Sequence, residues 1–213
     1  MAFYGLRRPG QSVTSIAAIR DDAGMGYEII PATPGAWPLL ERLFGRVGAS
    51  NGCWCMYWLL GPEYHRRDRT LNREELRSSM EAEPPPGLLA FDMDSPDAAT
   101  AVGWLRLTPR SQLSWLNRTR FLDPVDDLPV WSVPCFFVAR SHRGRGVSDA
   151  LLGAAVEAAR AAGAPAVEGY PVDFTVPGAT RNAFTGHVPV FERNGFTEVA
   201  RRRQSRPIMR RML

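Results

Sequence analysis

Lysine is missing from this chain of 213 residues: every one of its 26 basic side chains is arginine, set against 22 acidic ones for a formal charge of +4. Without lysine there is no phosphate loop of the Gly-x-x-x-x-Gly-Lys-Ser/Thr type, whose lysine reaches the phosphates. So uniform a use of arginine reads as a coding bias, and nucleic acid is not expected as a partner on the arginine count alone. Long apolar runs are also lacking. Nothing approaches the roughly 18 residues that a membrane helix needs, and Met1 to Asp22 has no apolar centre of a signal peptide, so no membrane partner and a cytoplasmic location are expected. Cysteine is scarce. Cys53, Cys55 and Cys135 are odd in number and lack paired metal spacing, which excludes a disulfide framework, gives no expectation of a metal and leaves buried thiols.

What is present centres on Trp131 to Gly163. Trp131 to Val138 is a short apolar run rich in aromatic and β-branched residues, the composition of a strand buried on both faces. A polar turn follows, in which Gly144 and Gly146 can take φ > 0 and let backbone N–H groups approach a ligand. From Val147 the chain is helical, with Leu151, Leu152, Ala155, Val156 and Ala159 on one face and Glu157 placed to meet Arg160 on the other. Gly163 and Pro165 stop it. A helix that starts in a glycine turn offers unpaired N–H groups and a positive dipole end, which suit phosphate, and Arg140, Arg143 and Arg145 add charge. A dinucleotide fingerprint is not met, because Gly144-Arg-Gly-Val-Ser-Asp149 lacks the last glycine.

Arg143-Gly144-Arg145-Gly146-Val147-Ser148 between a strand and a helix resembles the signature of the GNAT superfamily of acyl-CoA-dependent N-acetyltransferases, departing only in Ser148 for Gly or Ala. The order of elements agrees. Tyr27–Ile30 reads as the first strand, and Thr33 and Pro34 open a helix running toward Gly48. A second helix spans Leu71 to Met80 with Asn72 as cap. Leu88–Asp92 and Ala101–Thr108 form a hairpin. After the central strand and helix come a strand over Ala166–Asp173, a short helix over Val188–Asn194, and closing strands over Phe196–Ala200 and Pro207–Met212. The expected class is α/β of the α+β type: a GNAT fold with a central mixed, mostly antiparallel sheet, splayed central strands and helices on both faces. Residues 1–25 are expected to be an arm and 26–213 a single acetyltransferase domain. Cys53-Trp-Cys-Met-Tyr-Trp58 and Val167-Glu-Gly-Tyr-Pro-Val-Asp173 look like those of an uncharacterised bacterial subgroup.

The resemblance implies acetyl-CoA as cosubstrate, with no metal, and a primary amine of a small molecule as acceptor; a homodimer is left open. Main-chain groups of Phe136, Phe137 and Val138 would pair with the pantetheine arm, and the N–H groups from Arg143 through Gly144, Arg145, Gly146 and Val147 to Ser148 would meet the pyrophosphate. Many members carry a tyrosine general acid four residues before the glycine that ends the last helix. Here that place is Phe191, which has no proton to give. The position of the asparagine that often reaches the cofactor is Phe184. Replacements are sought in Glu168 and Tyr170, at alternate positions of one strand and so on one side of the sheet, with Glu168 as base and Tyr170 as acid. His187 is a second base. The alternatives are that Glu168 pairs with an arginine, Tyr170 is core and His187 merely starts a helix.

Other residues carry two readings. Trp54, Tyr57 and Trp58, at helical spacing, are either core or a wall of the acceptor pocket. Asp126, Asp127 and Asp173 either hold a cationic acceptor or are solvated loop acids. The arginines from Arg201 to Arg211 either bind nucleic acid or are a solvated edge strand. A competing function is a catalytically weak module that binds or senses acyl-CoA without the usual tyrosine.

Overall fold

Leu88 to Phe91 and Ala101 to Thr108 are buried at every position in the computed structural model, which describes residues 17–20, 26–179 and 183–213. Such runs, apolar on both sides of the pleat, belong in the middle of a sheet covered on both faces. The strands are β1 (Ala17–Arg20), β2 (Gly26–Pro31), β3 (Gly87–Asp92), β4 (Ala101–Pro109), β5 (Trp131–Val138), β6 (Ala166–Gly169), β7 (Thr197–Arg203) and β8 (Arg206–Met212). The helices are α1 (Trp37–Phe44), α2 (Tyr57–Leu60), α3 (Glu63–Arg66), α4 (Arg69–Ser79), α5 (Val147–Ala161) and α6 (Val188–Arg193). Among the described residues the strands form one sheet in the order β1-β2-β3-β4-β5-β6-β8-β7. Neighbours are antiparallel except β5 and β6, so the mixed, mostly antiparallel sheet is as expected. β1 lies within the stretch read as an arm; residues 1–16 and 21–25 of that stretch lie outside the described residues.

Helices cover both faces. The apolar side of α5 closes over Ile29, Ala90, Leu105, Val133 and Val167. Burying a leucine such as Leu151 or Leu152 there contributes about 1.5–3 kcal/mol. The approach is close enough that a Cβ on Gly103 would stand 2.6 Å from Val147 Cγ1. On the opposite face α1 and α4 pack Leu40, Phe44 and Leu76 against Leu89, Phe91 and Trp104. Among the described residues no helix is long and apolar enough to cross a membrane.

The central strands do part. β5 and β6 stay in register only at Trp131↔Val167, Ser132↔Glu168 and Val133↔Gly169. The next residue of β5 is Pro134, which has no N–H to continue the ladder, and its carbonyl accepts from Trp58 Nε1 at 2.8 Å. β6 ends correspondingly at Gly169 rather than Asp173. Pro171 follows, and the chain turns away so that Val172 N–H bonds to Gly186 O (3.0 Å) and Asp173 N–H to Ser205 O (3.0 Å). Two prolines therefore open the sheet.

Helix starts differ in detail from expectation. Asp68, not Asn72, caps α4, its Oδ1 accepting from Thr70 N–H at 2.9 Å. Asn72 is buried one turn in, where its Nδ2 donates to Gly52 O (2.8 Å) and Tyr64 O (2.9 Å) and ties down the loop before α2. Thr33 makes no side-chain cap; a 3-10 turn over Pro34–Ala36 precedes α1.

Candidate functional site

A groove of about 640 Å³ runs along the parted end of β5 and across the start of α5. Gly144 (φ 73°) and Gly146 (φ 79°) are left-handed, a conformation that costs other residues roughly 1–2 kcal/mol, and Gly146 is the N-cap of α5. The first helical bond at this end is Ala150 N–H to Gly146 O (3.0 Å), so the preceding amides are available to a ligand. Phe136, Phe137, Val138, Arg143, Gly144, Gly146, Val147 and Ser148 all line the groove. Arg145 does not. Its guanidinium turns to Asp92 (3.8 Å), and its carbonyl accepts from the Tyr27 hydroxyl, which pins the turn to β2. Asp149, an acid in the first turn, is held by Arg193 at 2.9 and 3.0 Å. Glycine turn, helix dipole and arginines together fit a phosphate-bearing ligand.

One expected main-chain contact is already taken: Phe136 N–H bonds to Phe184 O at 2.6 Å. The Val138 carbonyl, two residues on and facing the same way, accepts from Arg143 Nε at 3.2 Å. His187 lines the same groove and bridges to Val172. Burial, and then Arg193, lower its pKa, so the imidazole is neutral at neutral pH.

Behind the gap between β5 and β6 lies a second cavity of about 400 Å³. Ala49, Ser50, Phe136, Phe137 and Phe184 line both spaces, so they meet where the strands part. Tyr57 and Trp58 from α2 wall this cavity, but Trp54 does not join them. The backbone is left-handed at Trp54 (φ 46°) and Cys55 (φ 60°), the helix begins only at Tyr57, and Trp54 stacks on Trp37 in the core (centroids 5.8 Å apart). Trp54 is therefore core, whereas Tyr57 and Trp58 line the cavity. The Tyr57 hydroxyl has no hydrogen-bond partner among the described residues, and the spacing of Trp54, Tyr57 and Trp58 marks its ring but not this free hydroxyl. Arg203 and Arg206 also reach the cavity. No Asp or Glu among the described residues lines it: Asp126 is paired with Arg210 (2.6 Å) and Asp173 with Arg201 (2.8 Å), while Asp127 borders a separate surface pocket.

Glu168 and the Tyr170 hydroxyl are together, but off the cavity. Glu168 is 1% exposed and accepts from Arg210 at 2.7 and 3.0 Å and from Arg110 at 3.3 Å. The Tyr170 ring touches the cavity, whereas its hydroxyl lies among Arg110 (2.9 Å), Ser132 (2.8 Å) and Glu168 (3.3 Å), none of which lines it. Burial, opposed by Arg110, holds the phenol well above its ordinary pKa. The pairing with arginines that the sequence allowed is what forms, and it closes the rear wall. Arg210, one of the terminal cluster, is accordingly buried rather than a solvated edge. Phe191 is core as well: fully buried, it packs edge-on to Phe136 and Phe196 and so close to Gly169 that a Cβ there would lie 1.9 Å from its ring.

The three thiols line the cavity too. Burial by itself would raise the Cys55 pKa, but the Cys135 thiol and the Arg106 guanidinium more than offset it and bring it down to about 7. Arg106 is 4% exposed and has no carboxylate within salt-bridge range among the described residues; its Nη1 donates to Cys55 O at 3.3 Å and its Nε has no partner. Arg106 therefore favours the anionic form of the Cys55 thiol. The Cys55 thiol beside it, and then desolvation, hold Cys135 well above the ordinary thiol value, and Cys53 is pushed up to about 11 by burial and by Cys55. No group of three or more His, Cys, Asp or Glu among the described residues could hold a metal ion.

Residues 53–175 match the family model described as acetyltransferase (GNAT) family. No curated protein matches the sequence. Among solved structures the chain is similar to the GNAT domain of S. lividans PAT (17% identity, 92% of this chain and 96% of that one, TM-score 0.56). It is similar also to PaiA N-acetyltransferase from Thermoplasma acidophilum in complex with coenzyme A (14%, 88% and 99%, 0.52). A third is mosquito arylalkylamine N-acetyltransferase like 5b (12%, 88% and 100%, 0.56). At these identities the likeness is one of fold.

Proposed function

Because the chain belongs to the GNAT acetyltransferase family, we propose that it moves an acetyl group from acetyl-CoA to the primary amine of a small molecule. The observation that carries this reading is the junction at Phe136, Phe137 and Phe184, where a phosphate-suited groove opens into a separate aromatic cavity. Pyrophosphate on the amides of Gly144 to Ser148 sends the pantetheine arm along β5, where it takes the place of the Phe184 carbonyl opposite Phe136. The thioester then lies at the junction, with the amine approaching from the cavity. The amine nitrogen attacks the thioester carbon, the carbon–sulfur bond breaks, and the nitrogen loses a proton while the thiolate gains one. His187, neutral and on the groove, takes the amine proton. Tyr57, whose ring centroid is 5.7 Å from that of Phe184 and whose hydroxyl is uncommitted, donates to the thiolate. Glu168 and Tyr170 act as positioning residues for the cavity wall.

Free-thiol release from acetyl-CoA against a panel of small amines, with the acetylated product identified by mass, tests the reading. Phe191 in place of the usual tyrosine and the closed Phe136–Phe184 contact support a second one, an acyl-CoA-binding module without turnover. Tight CoA binding with no acetylated product from any amine would favour it.

A further inference from the structure

The terminal arginines are not alike. Arg201 is paired with Glu198 and Asp173, Arg210 with Glu168 and Asp126, and Arg202 and Arg211 donate to main-chain carbonyls. Arg203 and Arg206 meet no carboxylate among the described residues. They face each other across the turn that joins β7 to β8, a cross-strand pair of like charge, which is unfavourable unless something offsets it. Burial, and then Arg203, depress the Arg206 pKa.

Arg206 is half-buried, and only one of its nitrogens is committed: Nη1 donates to Thr185 Oγ1 at 2.6 Å and to Tyr170 O at 3.5 Å. That anchors the guanidinium and leaves its Nε/Nη2 edge without a partner among the described residues. This edge is the one that binds a carboxylate with two parallel hydrogen bonds. The Arg203 guanidinium lies over the Phe121 ring at 5.2 Å. Both arginines line the aromatic cavity and neither lines the groove along α5, so they are not placed to serve the phosphates of a ligand there. A cavity with two arginines that meet no carboxylate, and with no Asp or Glu in its lining among the described residues, disfavours a simple ammonium ion.

We propose that the acceptor carries a carboxylate on an apolar or aromatic body, and that Arg206, assisted by Arg203, binds that carboxylate in the second cavity. The inference rests on the acetyl-transfer reading for the word acceptor, but not for the anion site itself. The Arg206 fork fixes one end of the molecule, Tyr57, Trp58 and Phe184 enclose its body, and the amine is directed to the junction with the groove. Aromatic amino acids are the plainest compounds of this class.

The test uses two matched sets. In the first, acetyl transfer to L-phenylalanine and to 3-(aminomethyl)benzoate is compared with transfer to 2-phenylethylamine and benzylamine, which lack only the carboxylate. At least one acid should exceed its decarboxylated partner more than tenfold in kcat/KM, chiefly through KM, and Arg206→Gln and Arg203→Gln should bring that ratio toward one. Stabilisation by CoA, unchanged in both variants, shows that they are folded. Equal or better use of the decarboxylated amines by the wild type, or a ratio the variants do not change, overturns the proposal. In the second set, 3-phenylpropanoate, which has no amine, is titrated calorimetrically without acetyl-CoA. Binding lost in Arg206→Gln upholds the anion site even if no amine is acetylated, in which case the transferase reading alone fails. No binding of this acid together with no acetylation of the amino acids overturns the anion site.

Discussion

The groove along α5 and the cavity behind the parted strands adjoin, yet they are built in opposite ways. The phosphate end of the groove is local: Phe136 to Val138 and Arg143 to Ser148 are nearly continuous in the chain, and what they offer a ligand is backbone amides and a helix end. The cavity is assembled from Ser50, Tyr57, Phe121, Cys135, Phe184 and Arg206, spread over most of the chain, and its chemistry is in side chains. A backbone site tolerates changes of side chain and suits one ligand throughout a family. A side-chain site can be rebuilt for a new acceptor without disturbing the first. The same fold can therefore keep its donor and change its acceptor.

The largest effect is expected at Glu168, on which the rear wall of the cavity depends. Glu168→Gln leaves Arg110 buried without a counter-charge and Arg210 with Asp126 alone, and unfolding titrations should show a loss of about 3 to 5 kcal/mol. CoA affinity per folded molecule should be nearly unchanged, because no atom of Glu168 lines the groove. If CoA binding fell in proportion to stability, the two sites would not be separable.

A sharper division is expected between two tyrosines. Tyr57→Phe should lower kcat about a hundredfold, near 3 kcal/mol in the barrier, with little change in stability. Tyr170→Phe should do the reverse, since its hydroxyl serves Arg110 and Ser132: a loss of about 1–3 kcal/mol in stability from groups left unsatisfied, with kcat largely kept. Single-turnover rates at saturating acetyl-CoA decide between them. An inactive but stable Tyr170→Phe would restore Tyr170 as the acid and remove Tyr57 from that role.

The smallest effect expected concerns Cys55 and depends on pH. Its folded pKa of about 7 lies below the ordinary thiol value of 9.0. Between these values the unfolded chain holds a proton that the folded protein does not, so the contribution grows from pH 7 to 9, is complete above 9 and is lost as pH falls through 7. Denaturant titrations of wild type and Cys55→Ser at pH 6 and pH 9 should therefore diverge at the higher pH. A stability difference independent of pH would mean that Arg106 is not balanced by a thiolate. The raised Cys135 and Cys53 pull the other way above pH 9, because they keep protons the unfolded chain has given up.

Legibility in the sequence follows the same division. The strand, turn and helix from Trp131 to Ala161 are local patterns, and glycine, helix start and apolar periodicity all pointed to them. The hairpin of β3 and β4 and the closing pair β7 and β8 were legible for the same reason. Asp68 and Asn72, four residues apart, have equal capping ability in the sequence, and only the burial of Asn72 distinguishes them. The strand read as reaching Asp173 stops at Gly169, since Pro171 cannot continue a ladder. Glu168 and the Tyr170 hydroxyl approach each other at 3.3 Å, but no local signal tells that Arg110 and Arg210, 58 and 42 residues away, occupy the carboxylate. Arg203 and Arg206 stand in a run of similar arginines, and their difference lies entirely in which partners the fold brings near.

The central claim is that the Gly144 to Ser148 turn binds CoA, and the most direct measurement is unfolding free energy with and without CoA for wild type and Gly146→Asp. At a hundred times its dissociation constant CoA should stabilise the wild type by about 2.7 kcal/mol. Gly146→Asp, which puts a side chain and a negative charge at the left-handed start of α5, should remain folded and gain almost nothing at the same CoA concentration. A wild type that gains nothing from saturating CoA, or a Gly146→Asp protein that gains as much as the wild type, would contradict the account.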